Sequence, residues 1–375
     1  MNDREANSNM KNATENAAVR SPDRIGDYLI KFMDEYLFDQ LTDDYLERIG
    51  MKDILSGVPV PFKKTELGNL TGINLARSMA AVIGCNSEFE HAQAYKKFIE
   101  MAFNGEFVKP LLGEGVKLAE KGELERACLI FRAAINIDPE NSEALYCYAR
   151  ACRDCYEAGE GSEYIGRFKA EALEAFEKLT MSAPDFDMGH YYLGYAYLNL
   201  GLYIKAKLSF ETFMNLTDDE HIKKAIEKIP EGSPVSPESI KEERRALRED
   251  VAEWLNKLDE PVKIETAYNQ VLAGRYEQGI EMLEPYVNDD AYNKWWPLYL
   301  YLGISYEAIS SDEKAEWAYK KVLELSPSNT DAMEGLVRIG HSVGNDELVS
   351  KYEEKIKIVK RNREEERAAK NKNYN

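Results

Sequence analysis

An all-α fold of stacked helical hairpins is what this sequence predicts, on three observations of spacing. Small residues recur at a fixed interval of twelve, as Gly115 to Ala127, Gly194 to Ala206 and Gly303 to Ala315. An aromatic follows four residues after an alanine, as Phe131, Phe176, Phe210 and Tyr319 follow Ala127, Ala172, Ala206 and Ala315. A proline stands twelve residues after three of these alanines, at Pro139, Pro184 and Pro327.

The intervals have a mechanical meaning, because residues three, four and seven apart share a helical face. Leu111, Gly115 and Leu118 line one helix, and Leu124, Ala127, Phe131 and Ala134 line the next. Antiparallel helices approach closely only where side chains are small, so Gly and Ala mark the crossing and the aromatic fills the space beside it. Proline then ends the second helix by pushing the residue before it out of helical geometry.

This series of small, small, aromatic and Pro resembles the tetratricopeptide-repeat (TPR) family, whose period is about 34 residues. The resemblance covers roughly 108–357 and implies a superhelix of helical hairpins, an α-solenoid. Copies are read at 108–141, 142–186, 187–220, 260–293, 296–329 and, in degenerate form, 330–360. The second is long, since Pro139 and Pro184 stand 45 residues apart, and its extra eleven residues are expected as a loop around Glu157 to Ser162, an insertion near 155–166. The fourth carries Gly279 where Ala is usual and lacks the terminal Pro, and the sixth keeps only Leu336 and Gly344.

The domain expectation follows. Residues 1–21 form a disordered N-terminus, 22–106 a helical region outside the repeats and a possible cap, and 107–229 a first block of about three repeats. Residues 230–259 form a Pro-rich linker and a charged helix at 238–258, 260–360 a second block of two to three repeats, and 361–375 a charged tail. Within 22–106, Ser21 and Pro22 read as a helix start. Tyr28, Leu29, Phe32, Met33, Tyr36 and Leu37 read as one helical stripe, and helices are expected near 42–55, 65–84 and 87–104. Stacked arrays need a polar end cover, which is the role expected of this region, the alternative being a specific activity of its own.

The 48 basic and 67 acidic residues give a net charge of −19, which repels phosphate backbones. Nucleic acid is therefore not an expected partner. Residues 23–104 hold nine basic against thirteen acidic residues, a poor footprint for DNA, whereas 351–375 hold nine basic against five acidic, read as a solvated helix end. No apolar run approaches the roughly 20 residues that span a bilayer, and 1–20 lack an apolar signal core, so a cytoplasmic location without a membrane partner is expected. Five cysteines in a chain of 375 residues suit a reducing compartment.

Chemistry is sparse. The sequence lacks a phosphate-cradling Gly-rich loop with its Lys, a paired-His zinc signature and Gly-x-Ser-x-Gly. His91, His190, His221 and His341 are scattered. The sharpest alternative is Cys147, Cys152 and Cys155, with Cys128 on the neighbouring helix. The three fan over roughly 140° of one helix, so they read as packed small apolar residues, with no metal and no cofactor expected. Metal content by mass spectrometry tests this reading.

The resemblance implies a non-catalytic scaffold or adaptor that binds a partner protein or peptide against the first helix of each hairpin. Carried over residue by residue, the inner set is Lys109, Leu112 and Val116, then Tyr146, Arg150 and Arg153, then Met188, Tyr191, Tyr195 and Asn199. The second block adds Ile264, Tyr268, Val271, Leu300, Ile304 and Glu307. Some members of the family grip a terminal carboxylate with Lys and Asn on the first inner helix. Leu112 and Val116 stand there instead, so that clamp is expected to be absent and the contacts to be mainly apolar and aromatic. The competing readings are a peptide-responsive transcription regulator and a thiol or metal centre at the cysteines. Partner identity and oligomeric state are not written in the sequence.

Overall fold

The computed structural model describes residues 23–68, 71–227 and 236–372. The expected disordered start at 1–21, the Ser21–Pro22 helix start and the Pro-rich stretch at 230–235 lie outside them. The described residues fall into two compact units, one within 1–196 and 215–218, the other within 197–214 and 219–375.

The repeat region is helical throughout the described residues. In the first unit, hairpins are formed by α6 (Val108–Glu120) with α7 (Leu124–Ile137) and by α8 (Ser142–Ala158) with α9 (Ser162–Ser182). Helix α10 (Asp187–Leu198) precedes α11 (Tyr203–Leu216), and α12 (Asp219–Glu227) and α13 (Pro237–Lys257) follow. The second unit pairs α14 (Asp259–Leu272) with α15 (Tyr276–Leu283), α16 (Trp296–Ala308) with α17 (Asp312–Leu325), and α18 (Thr330–Val343) with α19 (Asp346–Lys372).

One turn recurs between paired helices. Glu123 donates its backbone N–H to Leu118, Leu202 to Tyr197, Arg275 to Gln270, Ser311 to Tyr306 and Asn345 to Gly340, each at 2.8–3.0 Å. This is the helix-ending bond of the Schellman motif, which needs a left-handed residue just before the donor. Gly122, Gly201, Gly274 and Gly344 supply it, and Ser310 does so at φ +62°, where an L side chain is strained. Asn141 and Asn329, each two residues after a proline, cap the next helix by accepting the N–H of Ala144 and of Ala332 at 2.9 Å.

Two of the small–aromatic crossings that the spacing predicts, at Gly115 and at Gly303, are seen. A methyl group at Gly115 would collide with the Phe131 ring. Tyr319 is gripped on both sides, since a Cβ at Gly303 would lie 2.7 Å from its ring and one at Gly335 2.5 Å. At Gly279, the departure from Ala in the fourth copy, the space is taken by the Val271 side chain.

Two expectations are corrected. The eleven-residue insertion near 155–166 is not a loop: only 159–161 separate α8 from α9. Instead α8 has 17 residues against 13 in α6, and α9 has 21 against 14 in α7. Additions of four and seven residues return a helix to nearly the same face, so the hairpin lengthens without rotating its packing surface.

The N-terminal region is not wholly helical. After α1 (Gly26–Leu29) and a 3-10 turn at Ile30–Glu35, the chain becomes β1 (Tyr36–Gln40), paired antiparallel with β2 (Pro59–Lys63). The stripe through Tyr36 and Leu37 suits a helix locally, but aromatic residues suit strands equally, and the distant partner decides. Phe38 meets Phe89 at 5.8 Å, and Tyr95 Oη donates to the Pro59 carbonyl. The expected 42–55 helix is two, α2 (Asp43–Arg48) and α3 (Lys52–Leu55), broken at Gly50, which has φ +69°. Helices α4 (Gly72–Cys85) and α5 (Ala92–Phe103) complete the region.

This region covers one flank of the first two hairpins. Helix α4 packs along α7, so α7 is enclosed by α4, α6 and α8, and every residue from Ala127 to Ala134 is buried. A charge ladder sets the register: Asp23 pairs with Arg132, Arg24 with Glu171 and Glu174, Asp27 with Arg167, Lys31 with Glu125, and Glu35 with Arg126. Tyr28 packs on Tyr164 at 4.9 Å and on Phe168 at 5.6 Å. Tyr164, Arg167 and Phe168 belong to the opening seven residues of α9, so the added length receives Asp27 and Tyr28.

Candidate functional site

Helices α8 and α10 are the first helices of the second and third hairpins, and an aromatic cluster lies between them. Tyr146 lies 5.1 Å from Phe186 and 6.2 Å from Tyr192 between ring centroids. Tyr192 stacks on Phe176 at 5.6 Å and meets Tyr191 edge-on at 5.1 Å, and Tyr191 meets Tyr195 at 5.1 Å. The Arg150 guanidinium sits over Tyr192 at 4.8 Å and Tyr146 at 5.8 Å, and that of Arg153 over Tyr192 at 5.1 Å. Helical spacing explains the assembly: Tyr146, Arg150 and Arg153 are four and three residues apart, as are Tyr191, Tyr195 and the intervening Tyr192. All six are half-buried, with part of each surface open.

The two arginines differ in their compensation. Arg153 donates to Glu157 Oε1 at 2.6 Å and lies 3.8 Å from Asp154. Arg150 donates from Nη1 to the neutral Tyr146 oxygen at 3.1 Å, and its Nε–H is enclosed with no acceptor.

The remaining expected inner residues separate into groups. Lys109, Val116 and Asn199 are exposed. Leu112 and Met188 are interior, at 6% and 8% exposed, and so are Ile264 and Val271, which corrects their assignment to an open face. Packing and inner faces adjoin on a helix, so an error of one step of about 100° moves a residue from one to the other. Leu300 and Ile304 are partly buried against the core of the second unit. Tyr268 stacks on Tyr301 at 5.1 Å with planes 15° apart. Glu307 accepts from Arg338 Nε at 2.6 Å, from Arg338 Nη2 at 3.0 Å and from Tyr319 Oη at 2.6 Å. Tyr192, Phe186 and Tyr301 are participants that interval reading missed, although Tyr192 stands three residues from Tyr195 and its spacing signalled the shared face.

The cysteines gather differently from the expectation. Cys147 is apart and half-buried, whereas Cys128 and Cys152 place their sulfurs 3.3 Å apart in the core beside Cys155. Burial pushes the Cys128 and Cys152 thiols up, and the hydrogen bond that Cys155 donates to Cys128 together with burial pushes up Cys155. Burial also raises Cys147 to about 11 and Cys85 to about 12, so these sulfurs are protonated at neutral pH and suited to packing. Among the described residues no group of three His, Cys, Asp or Glu is placed to hold a metal ion, and no helix is long and apolar enough to cross a membrane.

No protein-family model and no curated protein matches the chain. Solved structures that resemble it include the TPR domain of P58(IPK), 20% identical over 67% of this chain and 60% of that one, with a TM-score of 0.32. YrrB, described as a TPR protein with an unusual peptide-binding site, is 16% identical over 69% and 97%, with a TM-score of 0.29. A TPR protein from Parabacteroides merdae is 14% identical over 77% and 96%, with a TM-score of 0.26. Overlays this loose carry nothing about the site. The repeated Schellman turns and the Gly–aromatic crossings carry the fold: among the described residues the chain is mainly α-helical, its helices paired as the resemblance implies.

Proposed function

We propose that the chain is a non-catalytic scaffold that holds an extended segment of a partner protein against the α8–α10 face. The observation that supports this reading is the half-open run of Tyr146, Tyr192, Tyr191 and Tyr195 with two arginines stacked on it. Tyrosine offers large contact area with few torsions to freeze, and Tyr and Arg dominate the energetics of protein interfaces. The protonated, enclosed thiols and the scattered histidines supply no nucleophile and base pair, which favours binding over catalysis. The N-terminal region, with a net charge of −4 over 23–104 and its docking on α7 and α9, is read as a cover for the first repeats in preference to a DNA-reading domain.

The test is quantitative affinity capture from the native cell extract by the full chain and by the Tyr191→Ala/Tyr195→Ala double variant. Partner recovery drops severalfold while far-UV circular dichroism stays unchanged. Equal recovery by both proteins moves the binding site off this face.

A further inference from the structure

We infer that Arg150 is an anchor for an acidic side chain of the bound segment, so that the partner carries an Asp or Glu flanked by apolar residues. This rests on the reading of the α8–α10 face as the binding site and adds its chemical selectivity. Among the described residues no carboxylate pairs with Arg150: the nearest contributor on its own helix, Asp154, is shared with Arg153, which Glu157 also neutralises. On the facing helix the neighbours are Tyr192 and, beyond it, Tyr191, so the contacts that α10 makes here are through rings. The guanidinium is held in place by two ring faces and one neutral phenol oxygen, with its Nε–H left without an acceptor.

A cation so arranged is preorganised and short of acceptors. A planar guanidinium with fixed orientation favours a carboxylate, whose two oxygens accept parallel N–H bonds. The stacked rings lower the local dielectric, which strengthens such a pair relative to one in open water. The net charge of −19 repels an acidic ligand at long range, so the preference arises from contact and not from steering. The same rings meet the apolar residues on either side of the acid. A single carboxylate at one position is therefore the occupant that the charge and shape of this face select.

The probe is a random decapeptide library displayed on phage and panned in parallel against the full wild-type chain and against Arg150→Gln. Wild type enriches Asp or Glu at one position between apolar residues, and Arg150→Gln loses that enrichment. An enriched peptide is then measured by fluorescence anisotropy beside its Glu→Gln or Asp→Asn analogue. The neutral analogue binds wild type at least about tenfold more weakly, the scale of a charge-assisted bond, and binds Arg150→Gln no differently from the acid. Arg153→Gln, which removes an arginine already neutralised, keeps the acid preference. Equal acid enrichment on wild type and Arg150→Gln, or equal affinity of the two peptides for wild type, overturns the anchor. Selected peptides that depend on Tyr191 and Tyr195 yet show no acid preference overturn the anchor alone. Peptides indifferent to Tyr191→Ala/Tyr195→Ala overturn the binding face and the anchor with it.

Discussion

The two units treat a charge on the first helices of their hairpins in opposite ways. In the second, Glu307 of α16 receives two bonds from Arg338 of α18 and one from Tyr319 of α17, so three helices share one satisfied carboxylate. In the first, Arg150 of α8 has a phenol and two ring faces but no carboxylate. The same hairpin frame thus holds a closed network in one unit and an open valence in the other. Charges that complete their bonds within the fold stabilise it, and a charge kept incomplete is a feature the fold must carry.

The comparison can be broken most severely at Tyr319. Gly335→Val pushes the ring that Gly303 and Gly335 enclose and displaces its hydroxyl from Glu307, with an expected loss of about 3 kcal/mol in denaturant unfolding. A loss under about 1 kcal/mol would show the crossing to be loosely packed. Next, Glu307→Ala leaves the interior Tyr319 hydroxyl without its acceptor and costs about 2 kcal/mol, with Arg338's exposure limiting the figure.

The same carboxylate sets a pH signature. Burial pushes Glu307 up, but the bonds from Arg338 and Tyr319 outweigh burial and hold it below its ordinary 4.5. A folded-state value depressed in this way gives stability that is present above pH 4.5 and lost as the pH falls through the folded value. The stability difference between wild type and Glu307→Gln therefore narrows on acidification below 4.5, as read from unfolding midpoints at stepped pH, and a constant difference removes Glu307 as the cause.

Arg150 should behave in the opposite sense. Arg150→Met keeps the stem packing and removes an enclosed donor, so stability is unchanged or rises by up to about 1 kcal/mol. A loss of more than 1 kcal/mol would mean that Arg150 serves the fold and would erase the contrast between the units. The smallest effect is at the strained turn: Ser310→Gly relieves a positive φ and raises stability by about 0.5 kcal/mol.

The repeat was legible because a close helix crossing tolerates few residue types. Gly115 beside Phe131 and Gly303 beside Tyr319 are steric requirements visible as intervals, whereas the approach of Gly335 to the same ring was not. The eleven-residue insertion was legible in length and position but not in form. Glu157 to Ser162 reads as a loop by composition, yet both flanking helices extend, and Tyr28 and Asp27 dock on the turns added to α9. Tyr191, Tyr195, Tyr146 and Arg150, carried over from the resemblance, lie half-buried in one cluster, whereas Leu112 and Met188, carried over in the same way, are interior, one step around the helix.

By itself the sequence determined the hairpins, since small, aromatic and turn-forming residues act on neighbours a few positions away and their spacing fixes the local geometry. Only the tertiary structure decided that 36–40 is a strand, that the middle of α7 is buried, and that Glu307 finds its donors while Arg150, among the described residues, finds no carboxylate. Those outcomes depend on groups tens of residues apart in the chain, and one-dimensional spacing carries no record of which of them meet.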